Sequence, residues 1–389
     1  METFRYNAVQ PNVVKSYYQG GDTVQFVCNN VGRQVVQGSW RLEGKLYVGG
    51  TQTNAGTWDA VSDVNNPNSP NWVSYDGSLD VKYDALAGSH GFIQQIDTYF
   101  GSSLVEPFRE YGRYVALETS THQTRDGLQG ELDNTSELKF ANDDMTKKFL
   151  RGTTSASSPL PFSMKLRNCI NKTSGDLSYS KTGTMTLRIT LSPSRNALYG
   201  SGLVNGDRAF VQVYCMSDLR LVWVDVPEQS SQGVSMEIVN YTTYDLKSAT
   251  TQISATIPNP VEKFSMVFYS QNDLLNSTIN YLQMKSLPNL QRVEYNIGNR
   301  DVPISFPLEN LQEILYHAFE SVDCNKMIVS DENTLITRGF NTFLGLDLGF
   351  SVSNGLFGIN ITTDGGEQNS IGASNAFLAH LYFRGRVNV

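Results

Sequence analysis

Along most of the chain apolar and polar residues alternate with a period of two. In Thr184-Met185-Thr186-Leu187-Arg188-Ile189-Thr190-Leu191 every second residue is apolar, which predicts a strand with one face on a core and the other on water. Thr23–Cys28 repeats this with Val24, Phe26 and Cys28 inward, as do Arg208–Cys215 and Gln252–Ile257. Asn375–Phe383 is apolar on nearly both faces and predicts a strand buried between layers. Clusters of turn-forming residues separate these segments, among them Gly49-Gly50, Asn65–Pro70, Gly200-Ser201-Gly202 and Asp364-Gly365-Gly366. Many short strands with such punctuation predict an all-β sandwich or barrel.

Two segments break the rhythm. Pro307–Phe319 carries Leu308, Leu311, Ile314, Leu315, Ala318 and Phe319 at helical spacing, with Pro307 suited to a first helical turn. Glu106–Leu117 predicts a weaker helix, blemished by Gly112. Around them runs a coarse repeat. Strand candidates Gly91–Phe100 and Ser103–Val105 precede the earlier helix, and Phe162–Leu166 and Thr184–Leu191 follow it. Leu290–Ile297 and Val302–Phe306 precede the later helix, and Phe343–Phe350 and Asn375–Phe383 follow it. The repeat predicts two tandem sandwiches, each with a short helix in a connecting loop. Their boundary is expected near Met216–Arg220, with Leu219–Val226 opening the second. The expected division is therefore an N-terminal arm at 1–16, a first sandwich at 17–217 and a second at 218–389. The arm, with Pro11 and no periodicity, is expected to leave the sandwich.

Three stretches then resemble one family. His90-Gly91-Phe92-Ile93-Gln94-Gln95-Ile96-Asp97-Thr98-Tyr99-Phe100-Gly101-Ser102-Ser103-Leu104-Val105-Glu106 resembles the strand–turn–strand of double jelly-roll major capsid proteins. These occur in virophages, polinton-like viruses and the tectivirus–adenovirus lineage of double-stranded DNA viruses. Phe162–Leu166 followed by Met185–Ser192 resembles a further strand pair of that family. Val293–Pro303 resembles the Asn/Gly-turn–Pro hairpin before the helix of its second jelly roll. The likeness is one of pattern, order and spacing from about Ser16 onward. The chain is compact beside family members that carry long tower insertions. The resemblance implies two tandem jelly-roll β-sandwiches and a homotrimer. Such a trimer is a pseudo-hexagonal capsomer that tiles an icosahedral shell, so the location is the virion. It implies neighbouring capsomers, penton and minor capsid proteins as partners, and leaves an inner membrane open.

Composition agrees with a surface that hides against neighbours: 40% of the 389 residues are hydrophobic and only 17% charged. A net charge of −8 and a pI near 5.1 argue against wrapping or direct sequence-specific reading of nucleic acid. The basic pair Arg384 and Arg386 predicts a solvated strand end. Cys28, Cys169, Cys215 and Cys324 are scattered without a CxxC pair and predict buried reduced thiols. No signal-length apolar segment or membrane-length run occurs. The Asn-x-Ser/Thr sites at Asn134, Asn171, Asn240, Asn276 and Asn360 are taken as compositional.

A search for chemistry gives no catalytic, cofactor-binding or metal site, and no enzyme is expected. His90, His122, His317 and His380 show no metal spacing and predict packing or surface roles. Asp143-Asp144 and Asp364-Gly365-Gly366-Glu367 lack calcium-loop spacing and predict loops or turns. Gly20-Gly21-Asp22 and Val204-Asn205-Gly206-Asp207 lack the lysine and helix of a phosphate cradle. Trp40, Trp58, Trp72 and Trp223 could stack on sugar but are better placed in cores and interfaces. The rival functions are a viral spike or penton and a carbohydrate-binding sandwich; a β-sandwich hydrolase has no motif behind it.

Overall fold

The computed structural model describes residues 4–52, 67–68, 72–74, 81–84, 86–122, 138–141, 144–150, 159–200, 203–204, 208–229, 233–257, 259–274, 276, 278–299, 302–323, 343–353, 355–365 and 370–389. The first half contributes β1 (Arg5–Val9), β2 (Tyr18–Gln19), β3 (Thr23–Cys28), β4 (Arg33–Val35), β5 (Arg41–Gln52), β6 (Ile93–Phe100), β7 (Ser103–Arg109), α1 (Tyr111–His122), β8 (Leu160–Lys165), β9 (Met185–Leu191) and β10 (Arg208–Pro227). The second contributes β11 (Ser235–Leu246), β12 (Thr250–Ile257), β13 (Val261–Ser270), β14 (Leu290–Asn299), β15 (Val302–Leu308), α2 (Leu311–Ser321), β16 (Phe343–Val352), β17 (Gly355–Thr363) and β18 (Phe377–Asn388).

Antiparallel pairing builds two sandwiches of the same design. In the first, one sheet carries the neighbours β2–β10–β5–β8 and the facing sheet β3–β9–β6–β7. In the second, the sheets are β11–β18–β13–β16 and β12–β17–β14–β15. In each, the eight strands alternate between sheets except at one central hairpin, β6–β7 in the first and β14–β15 in the second, the winding of a jelly roll. Alternation supplies the cores. The burial of β9 reads buried at Met185, Leu187, Ile189 and Leu191 and open between them. On β17, Phe357, Ile359 and Ile361 point inward while Leu356 is 52% exposed.

Prolines fall where a missing N–H costs no ladder bond. Pro107 lies on β7, and Pro303 and Pro307 on β15, and both strands are sheet edges. This corrects both helix starts. Glu106–Arg109 continues β7, and Glu110, at φ 49°, turns the chain into α1. Pro307 pairs with Glu294 in β15, and α2 starts after Asn310, whose side-chain oxygen accepts the Gln312 N–H at 2.9 Å.

The repeat also shifts by one element. The counterpart of β9 is β17, each lying between the first and third strands of its own outer sheet; Asn375–Phe383 lies in β18, in the opposite sheet. Leu219–Val226 does not open the second sandwich. It is the second half of β10, pairing with β5, β4 and β1. The polar Ser217-Asp218, which marks the expected boundary, is instead an irregularity within that strand, with Asp218 at φ 53°.

The expected arm is likewise not detached over Arg5–Val9, which pairs residue by residue with Leu221–Asp225. Asp225, fully buried, holds it: one carboxylate oxygen accepts from Asn7 at 2.7 Å and Asn30 at 2.6 Å, and Arg33 pairs with the other. Asp225→Ala removes the carboxylate shared by Arg33, Asn7 and Asn30 and is expected to cost about 3 kcal/mol, measured by urea unfolding, with the β1 amides losing exchange protection first.

Candidate functional site: the seam between the rolls

Asp225 apart, the buried charges among the described residues come together where the two rolls meet. The seam follows from β18, whose burial is nearly continuous. Phe377, Ala379, Leu381 and Phe383 enter the second roll's core, while the alternate residues His380, Tyr382 and Arg384 face the first roll. Tyr382 packs edge-on against Tyr114 of α1, with centroids 5.2 Å apart, and its hydroxyl donates to the Glu110 carbonyl at 3.1 Å. Met236, Ile238 and Val239 of β11, and Val267 and Tyr269 of β13, belong to one apolar cluster with the core of the first roll. The sheet of β11, β18 and β13 is thus covered on both faces.

The edge of β11 is bound as well. Val239 donates its N–H to Glu106 Oε1 at 3.0 Å, Glu237 to the Lys172 carbonyl at 2.9 Å, and Ser235 to Ser174 Oγ at 2.9 Å. Over Ser235–Val239 every second amide of this strand therefore ends on the first roll, which closes that stretch of an edge that would otherwise be open.

Glu106, on β7, is 1% exposed and also accepts the Cys169 N–H at 2.8 Å. Burial pushes its carboxyl up to about 7, against the opposing pull of the two amides and Lys172. Lys172 is spent on other partners: Glu118 at 2.8 Å, Glu237 at 3.1 Å and the Tyr114 hydroxyl at 3.1 Å. Burial works against the Lys172 charge, but Glu118 and the groups beside it hold its pKa well above the ordinary lysine value.

Arg113, on α1, is fully buried and stacked between two second-roll rings, 3.9 Å from the Tyr269 centroid and 4.0 Å from that of Tyr281. It donates to Nε2 of His380. His380 Nδ1 lies 2.7 Å from the Tyr241 hydroxyl. Burial, then the Arg113 charge, holds His380 well below the usual imidazole range. The neutral ring that accepts at Nε2 carries its proton on Nδ1 and donates it to Tyr241. Further along, Asp84 accepts from Asn280 Nδ2 at 2.6 Å across the seam.

A cleft of about 450 Å³ opens beside this network, lined among others by Glu118, Lys172, Glu237, Asp323, Arg384 and Arg386. Three cations face three carboxylates there, so it presents no net charge to a ligand and acts as an electrostatic staple.

The other residues singled out in the sequence take structural places. His90 is buried, with Nδ1 2.8 Å from the Tyr111 hydroxyl. His317 sits half-buried 3.5 Å from Glu320. His122 ends α1, and its side chain lies outside the described residues. Asp143, Glu367, Cys324, Trp58 and the 205–207 turn lie outside them too, as do the side chains of Asp144 and Trp72. Trp40 and Trp223 stack in the first core, 5.0 Å apart. Cys28, Cys169 and Cys215 are buried free thiols. Gly21, at φ 90°, turns the chain between β2 and β3. Arg386 is the expected exposed strand end, but Arg384 is buried against the Ser321 carbonyl, a correction that follows from its facing α2 and the seam. Sequence reasoning missed Glu106, Arg113 and Lys172; the signal for Glu106 and Arg113 is charge at positions where the strand and helix pattern calls for apolar residues, and Lys172, in a loop, carries no such signal.

No family model and no curated protein matches the chain. Solved structures do. The Faustovirus major capsid protein is similar at a TM-score of 0.60 and 8% identity, over 100% of this chain and 90% of that one. The capsid of PBCV-1 is similar at 0.54 and 10%, over 100% and 95%. The Sputnik virophage structure is similar at 0.58 and 9%, over 99% and 85%. With strand order, winding and full-length superposition in agreement, the chain has the double jelly-roll fold of these viral major capsid proteins.

Proposed function

We propose that this protein is a structural viral major capsid protein rather than an enzyme, and that its place is the virion. One observation carries this reading: two complete eight-stranded rolls in tandem, superposing over their whole length on capsid proteins. Three copies of a two-lobed wedge give six similar lobes, so we take the working unit to be a homotrimeric, pseudo-hexagonal capsomer of an icosahedral shell. Neighbouring capsomers, penton and minor capsid proteins are its natural partners. The continuous pairing of β10 within the first roll supports placing the division between rolls at 228–234.

The surface supports self-association. Of ten large hydrophobics left exposed among the described residues, five lie between residues 4 and 31: Phe4, Tyr6, Val13, Val14 and Val31. We assign this N-terminal segment to contact with a neighbouring copy. The sugar-binding alternative loses Trp40 and Trp223, which stack inside the core.

Light scattering on the purified chain is the test. The expected mass is three times the 43.2 kDa of one chain. Tyr6→Asp is expected to weaken association about ten-fold, which is about 1.4 kcal/mol, without lowering the unfolding midpoint of the monomer. A strictly monomeric species at micromolar concentration that never assembles would overturn the proposal.

A further inference from the structure

We propose that β1 of one copy is covered by α2 and β15 of a second copy, in a head-to-tail joint that repeats, between chains, the seam already present within each. This rests on the capsid reading, in which copies associate, and adds which surfaces meet.

The seam is the template. The first half of β11, Ser235–Val239, runs antiparallel to Asn388–Arg384 at the C-terminal end of β18. β1 takes the same place in the first roll, running antiparallel to Asp225–Leu221 toward the C-terminal end of β10. The two stretches match in position and differ in cover. Ser235, Glu237 and Val239 send their amides to Ser174, the Lys172 carbonyl and Glu106 of the first roll. The outer edge of β1 takes no strand among the described residues. Its side chains are uncovered too: of Arg5–Val9 only Asn7 is buried, and Tyr6 is 62% exposed next to the exposed Phe4. A strand edge that carries aromatic side chains in water is a surface made to be covered.

Chain order points to what covers it. Glu106 lies on β7, an edge strand of its sheet, and α1 follows directly. The second roll has the same pair, the edge strand β15 and then α2. α1 is buried from Tyr111 to Thr121 except at Glu118, with Arg113 between Tyr269 and Tyr281 and Tyr114 against Tyr382. α2 buries Ile314, Leu315 and Ala318, while Leu311, Glu313, Tyr316 and Glu320 stand in solvent, Tyr316 at 59%. Within one copy no described element covers that face; the first roll of a second copy offers the matching edge. Charge agrees. Phe4–Val14 holds Arg5 and no acidic residue, whereas Glu309–Glu320 holds the exposed carboxylates of Glu309, Glu313 and Glu320 and no Lys or Arg. Exposed tyrosines on both sides suit the anchors of an interface. Because the two surfaces differ, each docked copy still offers one of each, so the joint runs head to tail until a ring closes.

Cross-linking of the full chain tests the joint. A photoreactive benzophenone side chain replaces Tyr316, and the protein is mixed at micromolar concentration with an isotopically heavy copy, so that mass separates links between copies from links within one. Links between copies that land within Phe4–Val14 are the expected result. If the chain associates but its links stay within one copy, or land on another part of the neighbour such as its α2, the joint is wrong and the capsid reading stands. If the chain stays monomeric, both fail. Tyr316→Asp is expected to weaken association about ten-fold, as Tyr6→Asp does from the other side of the joint, with the unfolding midpoint of the monomer unchanged. Association as tight as wild type in Tyr316→Asp would also overturn the joint.

Discussion

Arg113→Ala is expected to lower the free energy of unfolding by about 3–5 kcal/mol, read as a fall in the urea midpoint at unchanged slope. The magnitude comes from several losses at one place. The guanidinium lies 3.9 and 4.0 Å from two tyrosine centroids, and each desolvated cation–π contact contributes about 1–2 kcal/mol. Its removal leaves His380 Nε2 without the donor that fixes its tautomer, at a cost of about 1–3 kcal/mol for a buried acceptor. A cavity then remains between Tyr269 and Tyr281. Arg113→Lys keeps the charge but loses the flat group that fits between two rings, and is expected to recover less than half of the loss. The alanine variant also removes the cation that disfavours imidazolium, so the His380 pKa should rise, held down afterwards by burial alone. Proton NMR of the ring checks this without reference to stability.

The positions that set these energies were the hardest to read from the sequence. Alternation exposed the strands whose one face meets water, and Met185–Leu191 and Thr23–Cys28 lie where the pattern puts them. The two-sided burial of β18 was legible as well, because Ala376 to Phe383 is apolar at nearly every step. What covers its second face was not. A His, a Tyr and an Arg on one side of a strand read equally as a wet surface or as a docked one, and only a distant helix decides between them. Periodicity measures local environment, whereas Arg113 reaches His380 across 267 positions and Glu106 reaches Val239 across 133. The helix starts failed for a related reason. Leu308 and Leu311 stand at helical spacing, yet Leu308 is buried from an edge strand and Leu311 is 40% exposed at the start of α2. The Asn310 cap was the better local signal. The boundary at Ser217-Asp218 shows the same ambiguity, since two polar residues interrupt an apolar pattern alike in a linker and in a bulge.

Phe264→Ala is expected to cost about 3–5 kcal/mol and to do so in a single unfolding transition shared by both rolls. Phe264 is fully buried on β13, and its ring stands 5.2 Å from Tyr295, 6.1 Å from Phe357 and 5.9 Å from Phe383, so it ties the two sheets of the second roll together. Truncation removes those contacts at once, and close-packed strands on either side leave little room for collapse. Leu356→Ala, on the same roll but half in solvent, is the control and should stay within about 0.5 kcal/mol. The shared transition is the sharper part of the expectation. Phe264 belongs to the second core, but Val267 and Tyr269, three and five residues along the same strand, belong to the cluster that fills the first. Unfolding the second roll therefore strips Tyr382, Tyr269 and Ile238 from the first and opens the bonds of Glu106 and Arg113. A first roll left standing would expose that apolar face and two buried charges, which disfavours it as a populated intermediate. Tryptophan fluorescence and circular dichroism divide the signal usefully, because Trp40 and Trp223 report from the first core. Coincident curves in Phe264→Ala are the expected result; a tryptophan transition unmoved from wild type would mean that the rolls unfold independently and that the seam is weaker than its contacts suggest.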